Sequence, residues 1–154
     1  MAKVISNCAL RLQIDLRSRK ETELFKWFLA CLLFGKPIQP IIAEQAYKVL
    51  IAARLTTPEA ILHAGWNRLV GLLDRAHYVR YDYSAATKLL DVCRELKRRY
   101  GTVSKLLAEA KTAAELSYKL QQFRYVGPVT AWIFLREIRP IWYPGVIRKR
   151  GAAA

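Results

Sequence analysis

Residues 125–130, Tyr-Val-Gly-Pro-Val-Thr, have the types and order expected of a phosphate-binding helix corner. A turn containing Gly127 is followed by a proline, which is favoured in the first turn of an α-helix. The amides of that turn have no acceptor within the helix, and the helix dipole adds partial positive charge there. Gly127 also lets a phosphate approach the backbone closely. The segment therefore predicts phosphate binding at a helix start, with an ordinary corner between two helices as the alternative.

Two other segments combine cations with aromatic rings. Lys36 follows an apolar stretch in a Gly-Lys-Pro loop, and Tyr78, Arg80 and Tyr81 lie in a loop at residues 77–83. Aromatic faces stack on bases, and cations pair with phosphates. A solvated Lys36 and packed tyrosines are the alternatives. The other candidate nucleic-acid contacts are basic residues or flank the glycine turn: Lys97, Arg98, Lys119, Arg124, Tyr125, Val126, Gly127, Val129, Thr130 and Arg136.

The charge of the chain favours a polyanionic partner. Its 154 residues include 26 Lys and Arg against 12 Asp and Glu, a net charge of +14. Residues 94–150 hold 13 basic and 4 acidic residues, whereas residues 1–93 hold 13 and 8. Neutralising phosphates releases counterions and stabilises binding. We therefore expect nucleic acid as the partner, in preference to an anionic membrane surface or a charge that serves only solubility.

The cysteines, Cys8, Cys31 and Cys93, are few, odd in number and far apart. This usage predicts reduced thiols in a cytoplasmic protein, associated with the nucleoid if the source is prokaryotic. It predicts neither a zinc site nor an iron–sulfur cluster, and no cofactor is expected. We expect no signal peptide. The longest apolar run, at residues 27–34, is far shorter than the roughly 20 residues of a membrane-spanning helix.

Apolar residues recur at helical spacing along most of the chain, which predicts one all-α domain, a compact orthogonal bundle of seven or eight helices. We expect a strap or distorted helix at 1–20, the helical domain at 21–139 with its corner at 113–138, and a basic tail at 140–154. Ser84 is the expected cap of the helix that carries Lys88 on its basic outer face. The expected helices are 21–34, 41–54, 58–64, 66–75, 84–100, 103–110, 113–122 and 128–138.

Three segments in this order resemble the endonuclease III-like, helix-hairpin-helix (HhH-GPD) superfamily of base-excision DNA glycosylases. They are residues 32–37 with the following helix at 46–50, residues 77–81 leading into 86–90, and Val126-Gly127 with Thr130-Ala131. The resemblance covers about residues 21–139. It implies a helix-hairpin-helix at 113–138 that grips duplex DNA. It also places Lys36 where members have a side chain that fills the gap left by an extruded base.

The chain differs from the family at the positions of the family's catalytic residues. Val129 stands where bifunctional members have a catalytic lysine, and valine cannot form a Schiff base. The family's aspartate would fall near Ile147, and no Asp follows Asp91. Tyr125 replaces the first hairpin glycine and Arg124 the usual proline. Since tyrosine tolerates positive φ poorly, we expect a turn that differs from the family's.

The sequence therefore predicts a non-catalytic DNA-binding protein on a glycosylase-like scaffold. An active glycosylase that uses an unorthodox acid, Glu137 or Asp82, is one alternative. Glu137 is the one carboxylate after the Gly127 turn, although Arg136 and Arg139 beside it favour an ion pair. An RNA-binding or ribonucleoprotein assembly protein is the other alternative.

Overall fold

An apolar helix lies at the centre of the protein. The computed structural model describes residues 9–145. In helix α1, Glu21–Phe34, ten residues are buried, and the helix packs against four others. Such all-round burial is what an almost continuous apolar sequence requires. The predicted central helix is therefore confirmed.

Six further helices surround α1. They are α2 (Pro40–Ala52), α3 (Pro58–Arg75), α4 (Asp82–Arg99), α5 (Val103–Glu109), α6 (Ala113–Gln121) and α7 (Pro128–Trp142). Residues 9–145 contain no β-strand, so the all-α fold class is confirmed. Short 3-10 turns occur at Leu16–Ser18 and Val79–Tyr81.

Threonine caps begin three of the helices. The hydroxyl of Thr57 accepts from the Ala60 amide at 3.1 Å, and Thr102 and Thr112 cap α5 and α6 in the same way. The Glu21 carboxylate also accepts from the first two amides of α5, at 2.9 and 2.8 Å. Each cap supplies acceptors that the first turn of a helix lacks.

Aromatic side chains attach α1 to the corner between α6 and α7. The indole N–H of Trp27 donates to the carbonyl of Phe134 at 3.2 Å. The Phe28 ring lies edge-on to Phe123 and Phe134, with centroids 6.0 and 5.9 Å apart. Such edge-to-face pairs add to the energy of burial. The corner is thus fixed to the core on its inner side.

In the part described, the chain before α1 is not extended. Hydrogen-bonded turns run through residues 9–13, and a short 3-10 helix follows at Leu16–Ser18. Leu12, Ile14 and Leu16 are buried while Leu10 is exposed. Gln13 has φ of 62°, which bends the backbone away from an extended path. Residues 1–8 lie outside the described part of the chain.

The break between the helices expected at 58–64 and 66–75 is confirmed, because Gly65 inside α3 has a non-helical backbone with φ of 82°. The predicted start of the next helix was wrong. Helix α4 begins at Asp82, so Ser84 lies in its first turn and donates to the Tyr81 carbonyl at 3.2 Å instead of capping. The predicted loop at 77–83 therefore contains a 3-10 turn and the start of α4.

The predicted tail at 140–154 begins too early. Helix α7 continues through Pro140 to Trp142, and the Tyr143 hydroxyl donates to the Ala110 carbonyl at 2.8 Å. The Arg19 guanidinium donates to the carbonyl of Ile141 at 3.0 Å, which satisfies one carbonyl of the last turn. Residues 146–154, including the position of the family's aspartate, lie outside the described part.

Gly35, at the end of α1, packs directly against α7. A methyl group added at Gly35 would overlap the Thr130 hydroxyl, and the Thr130 Cβ lies only 3.4 Å from the methyl position. Thr130 is buried in the first turn of α7. This close approach fixes the loop after α1 against the start of α7.

We expect Gly35→Ala to lower the free energy of unfolding by about 1–3 kcal/mol, because the methyl group overpacks the contact with Thr130. Thr130→Ala should relieve the clash, so the double variant should lose less stability than the sum of the single variants. Urea unfolding of the four proteins measures this coupling. Strict additivity would show that the two residues do not touch.

Candidate nucleic-acid interface

The turn between α6 and α7 exposes an aromatic ring and a guanidinium group. Tyr125 adopts φ of 73°, a left-handed conformation that we had expected a tyrosine to avoid. Its ring is exposed, and the Arg124 guanidinium lies 5.0 Å from the ring centroid. The Val126 amide donates to the Phe123 carbonyl at 3.1 Å and closes the turn.

The start of α7 has no side-chain cap, and there is free space at Gly127 among the described residues. Gly127 precedes the helix, Pro128 is its first residue, and no side chain caps it. The Val129 and Thr130 amides therefore have no intrahelical acceptor. A methyl group added at Gly127 would meet no atom of residues 9–145 within 4 Å. Gly127 has φ of −106°, a conformation open to any residue. Glycine therefore matters here because it leaves space for an anion, and not because of its backbone conformation.

The side chains around this helix start are divided between the core and the surface. Val129 and Trp132 are 61% and 60% exposed, and the Arg136 guanidinium lies 5.0 Å from the Trp132 ring centroid. The side chains of Val126 and Thr130 are buried. At these two positions only the backbone remains available for the predicted phosphate contact, because the side chains pack in the core. The helical period already places Val129, Trp132 and Arg136 on one face, a signal that could have identified Trp132.

Lys36 lies between this helix start and the N-terminus of α4. Its neighbour Gly35 packs against Thr130, and its own Nζ lies 5.2 Å from the Tyr81 ring centroid. The Arg80 guanidinium lies 5.6 Å from the same ring. We call Lys36, Arg80 and Tyr81 the Tyr81 cluster. The structure thus brings together residues from all three segments singled out in the sequence.

Tyr78 does not belong to this surface. It is fully buried, and its hydroxyl donates to the Leu33 carbonyl at 2.7 Å. Burial raises the pKa of this phenol well above its ordinary value. The prediction that Tyr78 stacks on bases was wrong because its hydroxyl satisfies a carbonyl at the end of α1.

Lys88 is also buried instead of lying on the outer face of α4. Its ammonium donates to the Leu32 carbonyl at 2.8 Å, next to the carbonyl that Tyr78 satisfies. Burial, together with repulsion from Lys36, lowers the pKa of Lys88 to about 8. The helical period gave a signal for this position, since Lys88 lies three residues after Ala85 and four before Val92, both buried.

We expect the stability of the protein to rise between about pH 8 and pH 10.5 through Lys88, by up to about 1.4 kcal/mol per pH unit. In this range the folded protein has released the Lys88 proton while the unfolded chain still holds it, so raising the pH removes the cost of a buried charge. Urea unfolding of the wild type and Lys88→Met at both ends of the range tests this. The wild type should gain stability relative to the variant, and parallel pH profiles would contradict the assignment.

The basic residues on the outer face of α4 have acidic partners within the protein. Lys97 lies 2.7 Å from Glu59, and Glu95 lies 2.7 Å from Arg98 and 2.8 Å from Arg99. These ion pairs reduce the net positive field of that face. Lys119, on α6, is half-buried.

The carboxylates considered as unorthodox catalysts have close charged neighbours. Glu137 lies 3.6 Å from the Nε of Arg136, the ion pair that the sequence favoured. Asp82 lies within hydrogen-bonding reach of Asp74, and this contact raises the pKa of Asp74. No group of three or more His, Cys, Asp or Glu residues suited to a metal ion occurs within residues 9–145.

Comparison with known proteins gives no match, since no family model, curated protein or solved structure resembles the chain significantly. Within residues 9–145, every helix is too short or too polar to cross a bilayer. The geometry and charge of the described residues are therefore the basis of the functional proposal.

Proposed function

We propose that this chain binds nucleic acid without catalysing a reaction, and that it holds the backbone phosphates of duplex DNA. The start of α7 and the Tyr81 cluster are the proposed contact surface. The observation that carries the proposal is the packing of Gly35 against Thr130, which places Lys36 between the open helix start and the Tyr81 ring. Cations and unpaired amides on one surface are suited to successive phosphates of one strand.

Charge and exposure support this assignment. The chain carries a net charge of +14, and a side chain at Gly127, just before α7, would meet no described atom within 4 Å. Arg124 lies beside the exposed Tyr125 at the turn that leads into this helix. The buried Lys88, close to Lys36, adds to the positive potential below about pH 8. Phosphate contacts of this kind position a protein on nucleic acid but do not read its sequence.

The resemblance to the helix-hairpin-helix glycosylases supports the same surface, because it assigns DNA contacts to the α6–α7 corner and to the loop that holds Lys36. Two residues support a loss of the family's chemistry. Val129 has no nucleophile at the position of the catalytic lysine. The Glu137 carboxylate lies 3.6 Å from the Nε of Arg136, so it belongs to an ion pair.

Gly127→Glu should weaken DNA binding at least about fivefold, because a carboxylate would stand in the proposed phosphate position. Gly127→Gln has almost the same shape without the charge and should weaken binding less. Gly71→Glu, on α3, changes the net charge equally and should have little effect, since a side chain there also enters open space. Fluorescence anisotropy with a labelled duplex compares the three variants. Equal effects of Gly127→Glu and Gly71→Glu would exclude the α7 start as a contact.

Lys36→Gln should reduce the slope of log affinity against log salt concentration by about one, the change expected when one phosphate contact is lost. Lys97→Gln is the matched control, since Lys97 already has a carboxylate partner at 2.7 Å. Its salt slope should stay closer to that of the wild type. Titrations at several salt concentrations, with DNA and RNA duplexes of one sequence, measure the slopes. Tighter binding of RNA would replace the DNA assignment by an RNA-binding one.

A further inference from the structure

Two aromatic side chains form an exposed pair, and one of them follows Tyr81 by two residues. Trp66 follows the break in α3, and Tyr83 lies in the first turn of α4. Tyr83 is 63% exposed and Trp66 39% exposed, and their ring centroids are 5.2 Å apart at an interplanar angle of 48°. The pair presents an aromatic surface to solvent.

A hydrogen bond holds the Trp66 ring in place, and the Tyr83 ring packs against it. The Trp66 indole N–H donates to the Thr87 hydroxyl at 3.1 Å, which ties the ring to α4. The Tyr83 ring centroid lies 5.2 Å from that of Trp66. A ring held in this way loses little conformational freedom when a ligand stacks on it.

The charges on either side restrict the kind of ligand. Tyr81, two residues before Tyr83, carries the two cations of the Tyr81 cluster. The Asp82 carboxylate accepts from the Tyr83 amide at 2.7 Å, and a carboxylate repels a phosphate. A neutral aromatic ligand joined to a nearby anion satisfies both conditions, and a nucleotide with an unstacked base is such a ligand.

We propose that the Trp66–Tyr83 pair binds an unpaired nucleobase of a strand whose neighbouring phosphates contact the Tyr81 cluster. This inference rests on the proposed function and narrows its ligand to nucleic acid that contains unpaired bases. Bases stack on aromatic side chains with little regard to sequence, so the site discriminates by pairing state and not by base.

The test compares a blunt duplex with the same duplex carrying a short single-stranded gap. The wild type should bind the gapped duplex more tightly. Tyr83→Leu should weaken binding of the gapped duplex by about fivefold or more, the effect of losing one stacked base, and leave binding of the blunt duplex unchanged. Tyr118→Leu is the control, because Tyr118 is a tyrosine of similar exposure, 66%, on α6. Trp66→Phe, which removes the hydrogen bond to Thr87, should have a smaller effect in the same direction.

A second readout is photocrosslinking of 5-iodouracil placed in the gap, which should label Tyr83 or Trp66. An unchanged preference for the gap in Tyr83→Leu, with labels only elsewhere, would overturn the base site while leaving phosphate binding intact. Failure of the proposed phosphate-binding surface would give a different result. Lys36→Gln and Gly127→Glu would then leave the affinities for both the blunt and the gapped duplex unaltered.

Discussion

The last carbonyl groups of a helix have no partners within it, and at the C-terminal end of α1 the residues Leu32 and Leu33 are buried. Tyr78 and Lys88 reach these carbonyls from the segments that follow α3, at 2.7 and 2.8 Å. An unsatisfied carbonyl in this position would cost about 1–3 kcal/mol. The position of the 3-10 turn and of α4 relative to α1 is therefore determined by hydrogen bonds that the buried end of a helix requires. The Tyr81 cluster lies on the elements fixed in this way.

The proposed interface follows from the same arrangement. The loop that leaves α1 is held on one side by Thr130 of α7, and Lys36 then contacts the ring that precedes α4. Three segments distant in sequence thus share one surface because each packs on the end of a single helix. Lys88 places a positive charge beneath this surface, at the negative end of the α1 dipole.

Much of the fold could be predicted from the sequence because its signals are local. The apolar run of α1, the Thr57 cap and the glycine at the break in α3 depend on neighbours a few residues away. The end of α7 could not be predicted, because Pro140 suggests a stop while contacts with Arg19 and Ala110 extend the ordered chain. Tertiary contacts decided that boundary.

The sequence predicted which residue types form the candidate site, but not which of these side chains are exposed and which are buried. Lys36, Arg80 and Tyr81 were selected by residue type and lie together. Tyr78 was selected for the same reason and is buried, since a tyrosine in a loop shows no periodicity from which burial could be inferred. The Trp66–Tyr83 pair was missed because its partners belong to different helices. Their contact depends on the packing of α3 along α4.

The left-handed backbone at Tyr125 has a consequence for recognition. The left-handed conformation raises the conformational free energy of a residue with a side chain by about 1–2 kcal/mol, and that of glycine much less. In return, the strained backbone directs the phenol outward from the apex of the turn, with a guanidinium group stacked beside it. A partner that arrives at the apex meets an aromatic group whose orientation was set during folding, so part of the entropic cost of complex formation has been met in advance.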